Sequence, residues 1–310
     1  MDLSTADRFR PHVCCRDREG AGFSGQHEIA SSGYCPRKLL RFKIIVVSRL
    51  RLARFPALAV LFFGLQAASS LSGQSPKTDD HPILVELFTS EGCSSCPPAD
   101  AVLEKMDTLQ PVAGAQLIVL SEHVDYWDHD GWKDPNSSSA LSERQTAYCR
   151  ALGLTSRYTP QFIVDGAIEM HADNPQQVNQ VLRDANVAPQ VPVRIGEVIV
   201  DAGNPAVLRT LIAADGNSSE HNADVYVVVA LNRVESQVLH GENGGRRLTH
   251  VAVVQQLTKI GKLQKGKSFE QTVQLKLKPG TDPKNVRIVA LVQEPGSGKL
   301  LGAALRKPAG

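Results

Sequence analysis

The chain has 310 residues, of which 42% are hydrophobic and 21% charged, a globular balance with room for two modest domains. Lys and Arg outnumber Asp and Glu by 11 to 5 in residues 1–54 and fall behind by 23 to 27 in residues 55–310. The body of the chain is therefore mildly acidic, which excludes the basic face that nucleic-acid binding requires.

The basic N-terminal stretch has another reading. Arg49, Arg51 and Arg54 precede the apolar run Phe55–Leu65, and the small residues Ala67, Ala68, Ser69 and Ser70 follow it. A positive segment, a short apolar segment and a small-residue exit form the pattern of a secretory signal. The run is shorter than the roughly 20 residues of a membrane span, so membrane contact is expected only if the signal stays uncleaved. Residues 1–45 show no sustained hydrophobic period and read as a non-structural or mis-assigned extension, with Val46 or Val47 as the alternative start. Residues 46–74 are then the signal peptide, and the working protein is expected in the periplasm or secreted. Export removes Cys14, Cys15 and Cys35 and leaves Cys93, Cys96 and Cys149 in an oxidising compartment. Three thiols make no disulfide framework; one close pair with one left over reads as a redox or ligand pair.

The predicted elements follow in order. Ile83–Phe88 is a buried strand, broken by Thr89–Gly92. Pro97 and Pro98 suit a helix start, and apolar residues at helical spacing carry that helix to Leu109. Ala115–Leu120 is a second strand, and its exit is rich in polar and aromatic groups: Glu122, His123, Asp125, Tyr126, Trp127, Asp128, His129 and Trp132. A helix over 137–152 carries Cys149 and stops at Gly153. Tyr158–Gly166 holds a proline, a short strand and a turn; 167–172 pairs back on it, and Asn174-Pro175 opens a helix to Asn186. Beyond Pro189 the pattern changes to strands at 191–200, 206–213, 225–232, 249–257, 269–277 and 286–293, separated by Pro/Gly/Asn/Asp turns. Such spacing predicts an all-β sandwich over 190–310.

Cys93-Ser-Ser-Cys96 lies between a strand and a helix start. The reactive species is a thiolate, and unpaired N–H groups at a helix N-terminus stabilise it. One helical turn separates the pair, so Cys93 reads as the nucleophile and Cys96 as the resolving thiol. A structural disulfide and a metal pair stay open as alternatives, although no second Cys/His pair stands at zinc spacing. Strand ends on one side of a parallel sheet share a crevice, which brings the His123–Asp128 loop beside the cysteines. His123 is a candidate proton shuttle, or else a hydrogen-bonded interior group; Tyr126 and Trp127 line a substrate groove, or else pack the loop. Cys149 reads as a buried small hydrophobe. Gly241-Glu-Asn-Gly-Gly-Arg-Arg247 lacks the ending of a phosphate loop and reads as a long hairpin loop packed on the first domain. His171, His240 and His250 have no ligand spacing.

The cysteine pair followed by Thr159-Pro160 before a short strand resembles the thioredoxin superfamily, over roughly residues 83–187. The resemblance implies a cis-proline loop that faces the cysteine helix and docks extended substrate chains, a role carried over to Pro160 with Thr159 beside it. Gly92-Cys-Ser-Ser-Cys96 departs from the usual Trp-Cys-Gly-Pro-Cys, so the redox potential does not carry over. Glu86–Asp100, His123–Asp128, Arg144-Gln145, Tyr158–Gln161 and Gly241–Thr249 are together similar to an uncharacterised bacterial family of secreted thioredoxin-like proteins, a domain of unknown function. That likeness implies fold and export and imports no reaction. The expected architecture is α/β: a thioredoxin-like fold over 81–188, then the C-terminal all-β sandwich. The expected function is thiol–disulfide exchange on protein or small-molecule thiols, with Cys93, Cys96, Pro160 and His123 catalytic and no cofactor or resident metal. Copper binding or delivery through Cys93, Cys96 and His123 is one alternative. A binding module braced by a structural disulfide is the other.

Overall fold

Ile83-Leu-Val-Glu-Leu-Phe88 offers side chains to both faces of an extended strand, and only a strand covered on both sides can bury them. In the computed structural model, which describes residues 80–188 and 190–308, this segment is the centre of β1 (His81–Thr89) and is buried throughout. The N-terminal extension, the signal peptide and the boundary proline Pro189 lie outside the described residues. α1 (Pro97–Leu109) begins with both prolines in its first turn, where a missing N–H costs nothing. β2 (Ala115–His123) returns parallel to β1, in a register that ends with Thr89 beside His123. α2 (Ser139–Ala151), β3 (Gln161–Val164), β4 (Ile168–Met170) and α3 (Pro175–Ala185) follow. Asn174 caps α3 by accepting from the Gln177 N–H.

The rest is β: β5 (Val193–Ile195), β6 (Ile199–Asp201), β7 (Asn204–Ala214), β8 (Ala223–Gln237), β9 (Arg247–Leu263), β10 (Phe269–Lys276), β11 (Val286–Gln293) and β12 (Leu300–Arg306). β12 is a strand that the turn-bounded reading omits. β8 and β9 run well past their predicted ends, because a polar outer stretch pairs as a ladder from Arg233↔Val251 to Gln237↔Arg247.

The expected architecture, a thioredoxin-like α/β fold followed by a β-sandwich, is not the one that forms. The described residues hold twelve strands and only three α-helices. Strands from both halves join in one mixed eight-stranded sheet, β12-β11-β8-β9-β2-β1-β3-β4, and a smaller sheet, β10-β7-β5 with β6 on β7, packs beside it. The junction is β9 against β2, parallel, at Ser121↔Val253. The physical cause is edge protection. Leu117 to Leu120 are buried, and a bare edge there is an open template for pairing. The β8–β9 hairpin supplies the neighbour.

The cores follow the alternation of the strands. Val225, Val227 and Val229 of β8 and Ile288, Ala290 and Val292 of β11 pack with Leu208, Ile212, Val273 and Leu275 of the small sheet. Val228, Ala230, Val289 and Leu291 turn to the opposite face and share a cluster with Leu84, Ile118 and Leu120, under Leu141 of α2. α1 and α3 cover Ile83, Val85 and Leu87 through Leu103, Met106, Val181 and Leu182. Val251 and Ala252 of β9 belong to that same cluster. No described helix is long and apolar enough to cross a membrane.

Candidate functional site

β1 ends at Thr89, and a tight turn carries the chain into Cys93, whose N–H donates to the Ser90 carbonyl. A Cβ at Gly92 would stand 3.2 Å from Trp127 Cβ, so this turn packs closely on the Trp127 loop. Cys96 is the N-cap of α1, and a disulfide joins it to Cys93 with the Cα atoms 5.4 Å apart. Both cysteines are fully buried, while the spacer residues Ser94 and Ser95 are exposed. The pair thus sits at the strand exit and helix start that its spacing predicts.

The Thr159–Pro160 peptide is cis. A cavity of about 410 Å³ separates this turn from α1. Ser95, Pro98 and Val102 line one side, and Tyr158, Pro160, Phe162 and Met170 line the other. Trp127 braces the turn: its Nε1–H donates to Thr159 Oγ1 at 2.7 Å. Tyr126 points elsewhere, donating to Gln145 Oε1 at 3.2 Å under the Arg157 guanidinium. Burial pushes its phenol up to about 12. Of the three aromatic and hydroxyl groups expected at a substrate groove, Thr159 and Trp127 shape its wall from behind, and Tyr126 packs against α2.

His123 is fully buried, and its Nδ1 lies 2.6 Å from Asp134 Oδ2. Burial alone would lower its pKa. The Asp134 carboxylate, with Asp100 and Glu91 behind it, more than reverses this, so the imidazole is held above its usual value. Burial works on Asp134 in the opposite sense. The His123 charge and the Glu91 and Asn136 N–H groups outweigh it and hold Asp134 at about 2. Glu91, also buried, accepts from Trp132 Nε1 at 2.8 Å.

Two members of this cluster escape sequence reasoning. His250 of β9 packs edge-on to His123 with ring centroids 4.7 Å apart, and its Nδ1 is 3.5 Å from Asp100 Oδ1. Asp100 lies one helical turn after Cys96, on the same face of α1. Spacing along the chain gives His250 no role, because the β9–β2 pairing that places it is long-range. The available signal is a lone histidine at the head of the apolar run Val251–Val254. His123 Nε2, both His250 nitrogens and Asp100 Oδ1 are buried without a hydrogen bond from the described residues. Such a cluster of buried titratable groups without partners is a candidate site.

The hairpin tip between β8 and β9 closes the site from the far half of the chain. Asn243, fully buried, donates from Nδ2 to both the Glu91 and the Cys93 carbonyls at 2.9 Å. Exposed Glu242 accepts the Ser94 N–H through Oε2 at 3.2 Å.

A second buried polar group lies on the α2 side. Arg144 donates to Glu86 at 2.6 and 2.8 Å and stands 3.3 Å from Glu122, and Tyr148 donates to Glu86 at 2.7 Å. Burial, with Glu86 beside it, pushes the Glu122 carboxyl well up. Arg144 and Tyr148 border a cavity of about 690 Å³ that is separate from the cysteines. Cys149 is free and buried, and burial pushes its thiol up. Among the described residues, no group of three His, Cys, Asp or Glu is arranged to hold a metal ion.

Residues 84–293 match the family described as "Protein of unknown function (DUF1223)". A crystal structure of a protein from Agrobacterium tumefaciens is 27% identical, with a TM-score of 0.55, over 73% of this chain and 94% of that one. A domain of the outer membrane lipoprotein Omp28 from Porphyromonas gingivalis is 12% identical over 39% of this chain and 88% of that one. Its TM-score of 0.26 is too low to carry an argument. No curated protein matches.

Proposed function

We propose, from the premise that the chain belongs to the DUF1223 family, that it is an exported thiol–disulfide oxidoreductase working through Cys93 and Cys96. One observation carries the reading: a disulfide closes at a helix start, and the spacer residue Ser95 between its cysteines lines a cavity whose far wall holds the cis Thr159–Pro160 turn. Kinship with the thioredoxin superfamily and a periplasmic or secreted location are part of this proposal. The substrates are protein or small-molecule thiols.

The exchange balances as follows. Once the exposed Ser94–Ser95 segment swings aside to uncover the buried Cys93, a substrate thiolate attacks Cys93 Sγ, the Cys93–Cys96 bond breaks, and Cys96 leaves as a thiolate that takes a proton. A second substrate thiolate then attacks the substrate sulfur of the mixed disulfide. The substrate leaves oxidised, and Cys93 and Cys96 remain reduced. The reverse sequence reduces a substrate disulfide. Asp100, one turn beyond Cys96, and the His250–His123–Asp134 cluster provide the buried acid–base groups for the proton of the leaving thiolate. Copper delivery draws less support, because the two sulfurs are joined to each other and His123 is bonded to Asp134.

The test is a trapping experiment. Reduced Cys96→Ser, mixed with oxidised glutathione, should accumulate a mixed disulfide on Cys93, and Cys93→Ser should accumulate little. Equal trapping by both variants, or by neither, contradicts the assignment.

A further inference from the structure

The motif Gly241-Glu-Asn-Gly-Gly-Arg-Arg247 is not needed for the exchange as written, yet it is the part of the second half that touches the cysteine segment. Its tip is preorganised: the Gly244 N–H donates to the Gly241 carbonyl at 3.0 Å, and the Gly245 N–H to the Val238 carbonyl at 2.9 Å. Asn243 Oδ1 accepts from Arg246 at 2.7 Å. Gly241 is required at the contact. Its φ is 75°, and a Cβ there would stand 3.0 Å from the Asp130 carbonyl and 3.2 Å from Trp132 Cβ. The tip is thereby seated on the loop that carries both tryptophans, with Asn243 spanning the backbone on either side of Gly92 and Glu242 on the N–H next to Cys93.

We propose that Glu242, held in place by the Asn243 contacts, is a positioning residue of the redox site: it favours the closed disulfide, and reduction loosens its hold. The proposal deepens the oxidoreductase reading and rests on it. The argument is electrostatic. A disulfide is neutral, and reduction places a thiolate on Cys93 in exchange for it. The Glu242 carboxylate is bound to the adjacent residue, and a like charge at that range disfavours the thiolate. Glu242 therefore favours the oxidised form. Linkage makes the effect reciprocal: whatever factor Glu242 imposes on reduction, reduction imposes on the Glu242 contact. Reduction by glutathione balances without another reactant. Two glutathione thiols become one glutathione disulfide, and the Cys93–Cys96 bond becomes a Cys93 thiolate and a Cys96 thiol, with one proton released to solvent.

The experiment uses the purified protein and its Glu242→Gln and Glu242→Lys variants, with Glu235→Gln on the same hairpin as control. Glu242 is exposed, so both variants keep the fold. Three readouts are taken: the equilibrium constant with glutathione, the Cys93 pKa from thiolate absorbance, and the proteolysis rate of residues 238–246 in each redox state. Glu242→Gln should move the equilibrium about two- to fivefold toward the reduced form, the size of a charge effect at a helix start, and lower the Cys93 pKa. Glu242→Lys should move both further, and Glu235→Gln neither. The wild-type tip should be cut faster when reduced. A wild type that exchanges with glutathione while both Glu242 variants leave its equilibrium and pKa unchanged overturns this proposal alone. A wild type that does not exchange overturns the oxidoreductase reading and this proposal with it.

Discussion

Neighbouring carboxylates, Asp134 first, raise the pKa of the buried His123. The sign of its effect on stability follows. Its pKa in the folded protein lies above the unfolded value of 6.5, so its contribution is complete below that value and is lost as pH rises through the folded one. Asp134 is the reverse case. Held at about 2 against 3.8, it contributes above 3.8 and is lost as pH falls through about 2. Replacing Asp134 with Asn leaves a buried imidazole without its counter-charge. The expected cost is ~3 kcal/mol near pH 5, the range for breaking a buried pair. The cost should shrink as pH rises past the His123 titration, because wild type loses the same stabilisation there. Denaturant midpoints across that range check this. A cost independent of pH would show that His123 is neutral in both proteins.

At the scale of elements, two turns lock the halves together. Gly166, in the β3–β4 turn at φ 61°, has its missing Cβ directed at the Gly298 carbonyl in the β11–β12 turn. The Leu300 N–H donates to the Asp165 carbonyl at 2.8 Å. Gly166→Ala combines a left-handed backbone with a backbone clash and should destabilise by ~3 kcal/mol. A thermal melt within about 2 °C of wild type would rule out that contact. The elements themselves are largely legible in the sequence. Pro97-Pro98 and Asn174-Pro175 mark two helix starts, and the apolar run at Ile83–Phe88 marks a strand covered on both faces. The cysteine pair and the helix start after it are legible for the same reason: local residue chemistry defines each. The cis turn at Thr159-Pro160 is expected only from the family resemblance. What is not legible is partner choice. Nothing in Ser121 or Val253 announces their pairing, since it depends on which edge lies free after the rest has packed. The errors share that origin: the separate β-sandwich, the missing role of His250 and the unanticipated hold of Asn243 on the Cys93 carbonyl.

The whole molecule inherits its cooperativity from that junction. β9 contributes Val253 to the pairing with β2 and Val251 and Ala252 to the core under α1, while Val254 faces the opposite cluster. Unfolding residues 81–188 would therefore strip apolar cover from the second half as well. One transition is expected, coincident for tryptophan fluorescence, which reports Trp127 and Trp132, and for hydrogen exchange in β7, β10 and β11. Two separated transitions would mean that the halves are energetically independent.

The same junction gives the cysteine pair its surroundings, because His250 and Asn243 reach it only through the β8–β9 hairpin. Whether those surroundings serve chemistry is decided by the equilibrium of the Cys93–Cys96 disulfide with glutathione in the purified protein. The oxidoreductase reading predicts reversible exchange with a reduction potential above about −300 mV. A pair that stays oxidised below that value is a brace for the fold, and would contradict it.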